Sequence, residues 1–333
     1  MPLSQDRRRQ SALREAYDTV LLDLDGVVYV GDHAVAGAVD AIAAVRSAGT
    51  RVAFVTNNAS RTPETVAESL RRLGVDATAS DVVTAAQAAA RLLAGKVPPG
   101  SAVLVVGGVG LRSALEERGL CPVDSADDDP VAVVQGFAPD LDYARLAEGA
   151  IALRAGALFV ASNLDRTLPS PRGPLPGNGS LVEVLRHATG VEPISAGKPE
   201  PALHEEAVQR TGARRPLVVG DRLDTDIAGA VRAGSDSLLV MTGVTRPADL
   251  LRADASCRPT YVASDLAGLL RPYPEVVGTD GGWTCGGWTA TVDDGVVRLD
   301  GDGGYDDALR VTCAAAWSAT EPPVIDPALD VLR

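Results

Sequence analysis

From Thr19 to about Val240, short runs of β-branched and aliphatic residues alternate with alanine-rich stretches of helical length. That alternation is the pattern of a parallel sheet with helices packed on its faces. It predicts strands at 20–22, 52–55, 103–106, 132–134, 158–160, 217–219 and 238–240. Helix signals fall between them. Thr62 followed by Pro63 supplies a cap and a fixed first-turn dihedral, Gly74 supplies a stop after Leu73, and Ser80 with Asp81 marks the start of the next helix. The length of 333 residues suits about two domains, and 46% hydrophobic residues suffice to fill their cores.

Two stretches depart from this regularity. PSPRGPLPGNGS at 169–180 is too rich in Pro and Gly for a regular element, and long irregular loops are often functional. After about Leu270, RPYPE reads as a linker. The sequence GGWTCGGWTATVDDGVVRLDG then predicts a hairpin turning at Asp293, Asp294 and Gly295, followed by a helix over 306–319. Trp283 and Trp288 on that hairpin are expected to cover its own core.

The chemistry is concentrated at strand ends. TVLLDLDGVVYV at 19–30 places Asp23 and Asp25 one residue apart at the end of an apolar run. Two carboxylates about 4 Å apart repel by roughly 4 kcal/mol at an effective dielectric of 20, so such a pair calls for a cation. LVVGDRLDTDI at 217–227 repeats the arrangement, with Asp221 at the tip, Asp224 placed to cap the next helix and Asp226 in its first turn. Strand tips of an open parallel sheet converge on one crevice, so Asp23, Asp25, Asp221 and Asp226 are expected to form a cluster of hard oxygen ligands suited to Mg²⁺. FVTNNASR at 54–61 puts Thr56 and Asn57 just past a buried strand, where a hydroxyl and backbone N–H groups can hold an anion. SAGKPEP at 195–201 fixes Lys198 between Gly197 and Pro199. An anion site, a divalent metal and a held ammonium together describe phosphoryl transfer.

DLDGVVY, TNNASR, GKP and GDRLDTDI, in that order, resemble the four motifs of the haloacid dehalogenase superfamily, specifically its type IIA capped phosphatases. The resemblance covers about residues 18–270. It implies an α/β fold: a Rossmann-like parallel-sheet core with an inserted α/β cap domain of the second cap class, subtype A. The expected division is an N-terminal tail at 1–17, core at 18–82, cap at 83–190, core again at 191–270, and a small α+β extension at 271–333. The resemblance also implies roles. Asp23 is the expected nucleophile, forming an aspartyl phosphate, and Asp25 the expected proton donor and acceptor. Asp23, the backbone carbonyl of Asp25 and Asp221 would bind Mg²⁺, with Asp226 in support, while Thr56, Asn57 and Lys198 would hold phosphoryl oxygens. The second aspartate of the pair separates this pattern from the metal-independent dehalogenase branch.

The resemblance points to hydrolysis of a small phosphorylated metabolite, with glycerol 3-phosphate first and 2-phosphoglycolate or a nucleoside monophosphate behind it. Asn163, Asp165 and Arg166, with the loop 172–178, are the expected substrate-facing parts of the cap. A reading of another class is a ligand-sensing or scaffolding protein on the same core, its C-terminal module binding a partner. Some relatives carry an extension resembling part of an acetyltransferase domain, but no acetyl-CoA pyrophosphate loop is present here, which argues against a second catalysis. A homodimer is a further expectation from capped relatives.

Charge and composition exclude other classes. A formal net charge of -13 argues against nucleic-acid or anionic-membrane partners. No stretch reaches the 18 or so apolar residues that a bilayer span needs, and no apolar export region follows the arginines at 7–9. The four cysteines show no zinc spacing and are few for a disulfide scaffold, so a reducing cytoplasm is expected. VVGGVGLRS at 105–113 has Ser113 where a dinucleotide fingerprint has its third glycine, and it reads as a tight strand-to-helix turn. His33, His187 and His204 show no ligand spacing and are assigned surface or packing roles.

Overall fold

The structure, a computed structural model, describes residues 11–170, 172–319, 324 and 325. The arginines at 7–9 therefore lie outside the described residues, and among the described residues of the expected tail Leu13–Ala16 forms a short helical turn. The chain divides into two compact units, Met1–Val52 with Ala213–Arg333, and Ala53–Gly212. No helix among the described residues is long and apolar enough to cross a membrane.

The first unit contains four parallel strands in the order Tyr261–Ala263, Asp236–Val240, Pro216–Gly220 and Thr19–Leu22. Val20, Leu21 and Leu22 are each no more than 1% exposed, as expected for a strand covered on both faces. Register matters most between the last two strands, where Leu21 pairs with Val218 and Leu22 with Val219. The helix Ala38–Ser47 buries Ala38, Ala41, Ile42 and Val45, one stripe at helical spacing. The strand Tyr261–Ala263 was not among the seven predicted from sequence.

The C-terminal extension shares a core with this unit. Strands Gly282–Cys285, Trp288–Asp293 and Val296–Gly301 run antiparallel, with Asp293 opposite Val296. Asp294 and Gly295 both have positive φ, the conformation of a two-residue hairpin turn. The helix Tyr305–Ser318 follows, close to the predicted span. Its buried Ala308, Leu309 and Val311 join Leu239, Leu250, Leu251 and Val262 in one apolar cluster, on which Trp283 and Trp288 pack. Polar ties reinforce the contact: Asp306 accepts from the Ser264 N–H at 2.8 Å, and the Trp317 ring N–H donates to the Leu250 carbonyl at 3.1 Å.

The second unit holds a five-stranded parallel sheet in the order Ile194–Ser195, Leu158–Ala161, Ala132–Gln135, Ala102–Val106 and Cys121–Val123. The expected cap, 83–190, lies within this unit. Helix Pro63–Arg72 starts as its sequence predicts, with the Thr62 hydroxyl accepting from Thr65 N–H. At Ser80 and Asp81 a short helical turn forms, Ala79–Asp81, but it does not continue into the next α-helix. Val82, Val83 and Thr84 first form a buried strand paired with Phe54, Val55 and Thr56, and the helix Ala85–Ala94 is capped instead by Thr84 with Gln87. Three β-branched residues in a row favour the strand over continued helix. The predicted loop at 169–180 also ends early, because helix Asn178–Thr189 begins inside it. Tertiary contact accounts for this: the Asn178 amide donates to the Asn163 carbonyl at 2.7 Å, and the Gly179 N–H to the Asp165 carbonyl at 2.8 Å.

Glycines of the 105–113 segment serve close packing. A Cβ on Gly110 would sit 2.5 Å from the Ala59 carbonyl oxygen and 2.6 Å from that of Arg61. The turn is therefore shaped to receive the 59–61 loop.

Candidate active site

In the first unit the site is a consequence of strand register. Asp23 donates its backbone N–H to the Val219 carbonyl at 2.9 Å, continuing the ladder one step past Leu22. The residues beyond the two tips, Asp23 and Asp221, therefore emerge side by side. Asp23, Asp221 and Asp226 each offer a carboxylate oxygen within 4.8 Å of the others. Asp221 and Asp226 are each 1% exposed, whereas Asp23 is half-buried. Three carboxylates gathered in low dielectric repel strongly, and a divalent cation is the natural neutraliser. Hard oxygen donors of this number suit Mg²⁺ or Ca²⁺ better than a soft metal.

The backbone around these aspartates is built for close approach. Gly26 has φ 80°, and a Cβ there would lie 2.6 Å from Asp221 Oδ2. A Cβ on Gly220 would lie 2.2 Å from the Asp226 Cβ. Asp226 Oδ2 accepts the Arg222 N–H at 3.2 Å, which holds it across its own turn. The structure thus brings Asp226 into the same carboxylate group as Asp221. Asp25 is exposed, next to the tight turn in which Gly26 N–H meets the Tyr29 carbonyl at 2.8 Å.

Asp224 does not cap the following helix as predicted. It lies inside a wide helical turn, Leu223–Ile227, and its carboxylate takes two hydrogen bonds from Arg222, at 3.1 and 2.8 Å. The guanidinium holds its carboxyl below the usual range. The bidentate geometry available from a neighbouring arginine competes better than a cap would.

The loop after strand Asp236–Val240 was not predicted to take part. Val244 N–H donates to Asp221 Oδ2 at 2.6 Å, Thr245 N–H donates to the Asp221 carbonyl at 3.2 Å, and the Thr242 hydroxyl donates to the Gly26 carbonyl at 2.6 Å. These contacts fix the Asp221 carboxylate and the 23–26 turn together. A sequence signal existed, since MTG at 241–243 directly follows another parallel strand tip.

In the second unit, Thr56 and Lys198 are each 4% exposed. The Thr56 hydroxyl accepts from the Asn58 N–H at 3.1 Å, and the Lys198 ammonium donates to the Val55 carbonyl at 3.0 Å. Asn57 is bound to the Lys198 backbone, its Oδ1 accepting from the Lys198 N–H at 2.8 Å. Of the residues expected to face substrate, Asn163 is 5% exposed and donates to the Asn57 carbonyl, while Asp165 accepts from the Asn57 amide. Arg166 is exposed. Lys198, Thr56 and Asn57 therefore share one tightly bonded region in this unit.

Comparison with known proteins gives the following. Residues 20–121 match the haloacid dehalogenase-like hydrolase family, residues 195–269 a second HAD-hydrolase-like family, and residues 285–332 the GCN5-related N-acetyltransferase like domain. A D-glycerol 3-phosphate phosphatase of Mycobacterium tuberculosis is 46% identical over 325 residues, covering 92% of this chain and 88% of that protein. A 5'-nucleotidase of Bacillus subtilis is 38% identical, covering 78% of this chain and 99% of that protein. The crystal structure of a glycerol phosphate phosphatase of M. tuberculosis in complex with magnesium superposes with a TM-score of 0.86 at 45% identity, over 95% of this chain and 94% of that one.

Proposed function

The chain belongs to the haloacid dehalogenase-like hydrolases, and on that premise we propose that it is a Mg²⁺-dependent phosphatase of a small phosphorylated metabolite, glycerol 3-phosphate first. The observation that carries this reading is the meeting, within 4.8 Å, of Asp23 and Asp221 just past adjacent strand tips with Asp226 from the helical turn that follows. The relative named for D-glycerol 3-phosphate, alike over 92% of this chain, supports the substrate. The nucleotidase relative makes a nucleoside monophosphate the nearest competitor, with 2-phosphoglycolate beside it.

Asp23, the Asp25 carbonyl and Asp221 would hold Mg²⁺, as the motif resemblance implies, with Asp226 in support; the grouping of the three carboxylates supports that assignment. When bound there, Mg²⁺ would supply charge neutralisation, both for the carboxylates and for the phosphate ester drawn to them. In the first step the Asp23 carboxylate attacks phosphorus, the bond from phosphorus to the alcohol oxygen breaks, and Asp25 gives its proton to the departing alkoxide. In the second step Asp25 takes a proton from water, whose oxygen attacks phosphorus. Inorganic phosphate then leaves and Asp23 is restored. Thr56, Asn57 and Lys198 are assigned to the phosphoryl oxygens, where positioned positive charge and N–H groups act most strongly. The exposed Arg166 is assigned to the substrate's far end, and the expected cap at 83–190 is assigned the role of excluding water from the reaction.

The division of labour matters in magnitude. Hydrolysis of a phosphate monoester calls for acceleration approaching 10²¹-fold, whereas one positioned proton transfer supplies about 10²–10⁴. Most of the work therefore falls to the nucleophile, the ion and the lysine. A reducing cytoplasm is the setting we infer, consistent with four cysteines that are all free thiols.

The test is phosphate release from a panel of esters with Mg²⁺. Glycerol 3-phosphate is expected to give the highest kcat/KM, at least about tenfold above 2-phosphoglycolate and the nucleoside monophosphates, a margin of about 1.4 kcal/mol. A higher kcat/KM for a nucleotide would overturn the substrate assignment.

A further inference from the structure

We propose that Asn163 and Asp165 are positioning residues that act through Asn57 on Lys198 and do not touch substrate. This inference rests on the phosphatase reading above and deepens it.

The argument begins with what the Asn57 side chain does. A primary amide has two N–H donors and one carbonyl acceptor. Its Oδ1 accepts from the Lys198 N–H at 2.8 Å, and its Nδ2 donates to the Lys198 carbonyl at 3.3 Å and to Asp165 Oδ2 at 3.1 Å. The amide therefore pairs with both backbone groups of Lys198, as a rung of a sheet would. The third bond decides which way round it sits. Flipped, the amide would set its oxygen against the Asp165 carboxylate and its NH₂ against the Lys198 N–H, and both contacts would repel. An acceptor at 165 thus selects the orientation in which Asn57 can hold Lys198.

Asn163 holds the other end. Its Nδ2 donates to the Asn57 carbonyl at 2.8 Å, and its Oδ1 accepts from the Asp165 N–H at 3.1 Å. At 5% exposure, with both ends of its amide bonded inward, it is a poor candidate for reading a substrate hydroxyl. The space around the knot is filled as well. A Cβ on Gly197 would come within 2.5 Å of the Ser162 carbonyl, 2.7 Å of Asn57 Oδ1 and 2.8 Å of the Asn163 Cβ. The segments 161–165 and 196–198 run alongside each other, with Ala196 N–H bonded to the Ala161 carbonyl at 2.9 Å, and the Asn57 side chain pins them. The Lys198 ammonium is held from the same loop, at the Val55 carbonyl. Backbone and ammonium of Lys198 are thereby both referenced to residues 55–57. A catalytic group displaced by about 1 Å can lose roughly 10²-fold in rate, so this bracing has kinetic weight.

The experiment compares wild type with Asp165→Ala, Asp165→Asn and Asn163→Asp over glycerol 3-phosphate, 2-phosphoglycolate and p-nitrophenyl phosphate. A positioning residue lowers kcat by a common factor for all three esters, about 10- to 100-fold for Asp165→Ala, because the phosphoryl group is the part they share. Asp165→Asn keeps an acceptor for the Asn57 amide and is expected to recover most of that loss. Asn163→Asp removes the donor to the Asn57 carbonyl and is expected to show the same uniform loss, so the outcome does not hang on one variant folding. Hydrogen exchange of the 55–61 and 195–201 backbones is expected to rise together in Asp165→Ala, and it is read without substrate. A loss confined to esters whose alcohol bears hydroxyls, a change in KM alone, Asp165→Asn as impaired as Asp165→Ala, or unchanged exchange would each overturn the proposal. Wild type inactive on all three esters and on nucleoside monophosphates would instead refute the phosphatase reading, while the exchange data would still judge the bracing.

Discussion

Gly243 faces Asp221 so closely that a Cβ added to it would stand 2.0 Å from Oδ2, the oxygen that takes the Val244 N–H at 2.6 Å. No side chain fits there without moving the carboxylate. Gly243→Ala is therefore expected to weaken Mg²⁺ binding about 10- to 100-fold, the usual cost of disturbing a group that orients a metal ligand. Calorimetric titration of the protein with Mg²⁺ checks this directly. Unchanged affinity would mean that Asp221 is not held by this loop.

The C-terminal extension shares its apolar cluster with Leu239, Leu250, Leu251 and Val262 of the parallel-sheet unit. Ending the chain at residue 270 would expose all four. Each buried aliphatic side chain of this size contributes about 1.5–3 kcal/mol, so their sum reaches the whole stability of an ordinary domain. Such a truncation is expected to aggregate or to melt at least about 10 °C below the full chain in a thermal scan. A truncated protein with full stability would show the extension to be a detachable module.

Glu206 is fully buried yet faces three arginines, with Arg118 at 2.6 Å, Arg91 at 3.2 Å and Arg210 one turn away on the same helix. These come from helices Ala85–Ala94 and Pro201–Thr211 and from the residue after Val109–Glu117, so one carboxylate ties three helices of the second unit. Removing one partner of a buried network leaves charge uncompensated, at about 3–5 kcal/mol. Glu206→Ala is expected to lose about that much in urea denaturation, and a loss under about 1 kcal/mol would contradict the account.

Legibility from sequence followed a physical line. Asp23 and Asp221 could be read because an apolar run that ends in a carboxylate is costly and therefore informative, and because parallel strand tips converge. Lys198 could be read because Gly197 and Pro199 fix it. The bracing groups were not legible. Val244 and Thr245 act through backbone N–H groups and Gly243 through the absence of a side chain, which residue type hardly records, and Thr242 through a single hydroxyl. Asn163 and Asp165 were read as loop residues open to substrate, since nothing in SNLDR distinguishes a buried amide from an exposed one. Glu206 sits in a charged helix where burial depends on partners far along the chain. The strand Val82–Thr84 is too short for its period to stand out, and only its pairing with 54–56 defines it.

The central claim, catalysis by Asp23 beside a carboxylate-bound ion, is tested most directly by phosphate release from glycerol 3-phosphate in wild type and Asp23→Asn, each with Mg²⁺ and with EDTA. The account predicts turnover only in wild type with Mg²⁺, and a fall of at least about 10⁴-fold on Asp23→Asn. Comparable turnover in EDTA, or in Asp23→Asn, would contradict it.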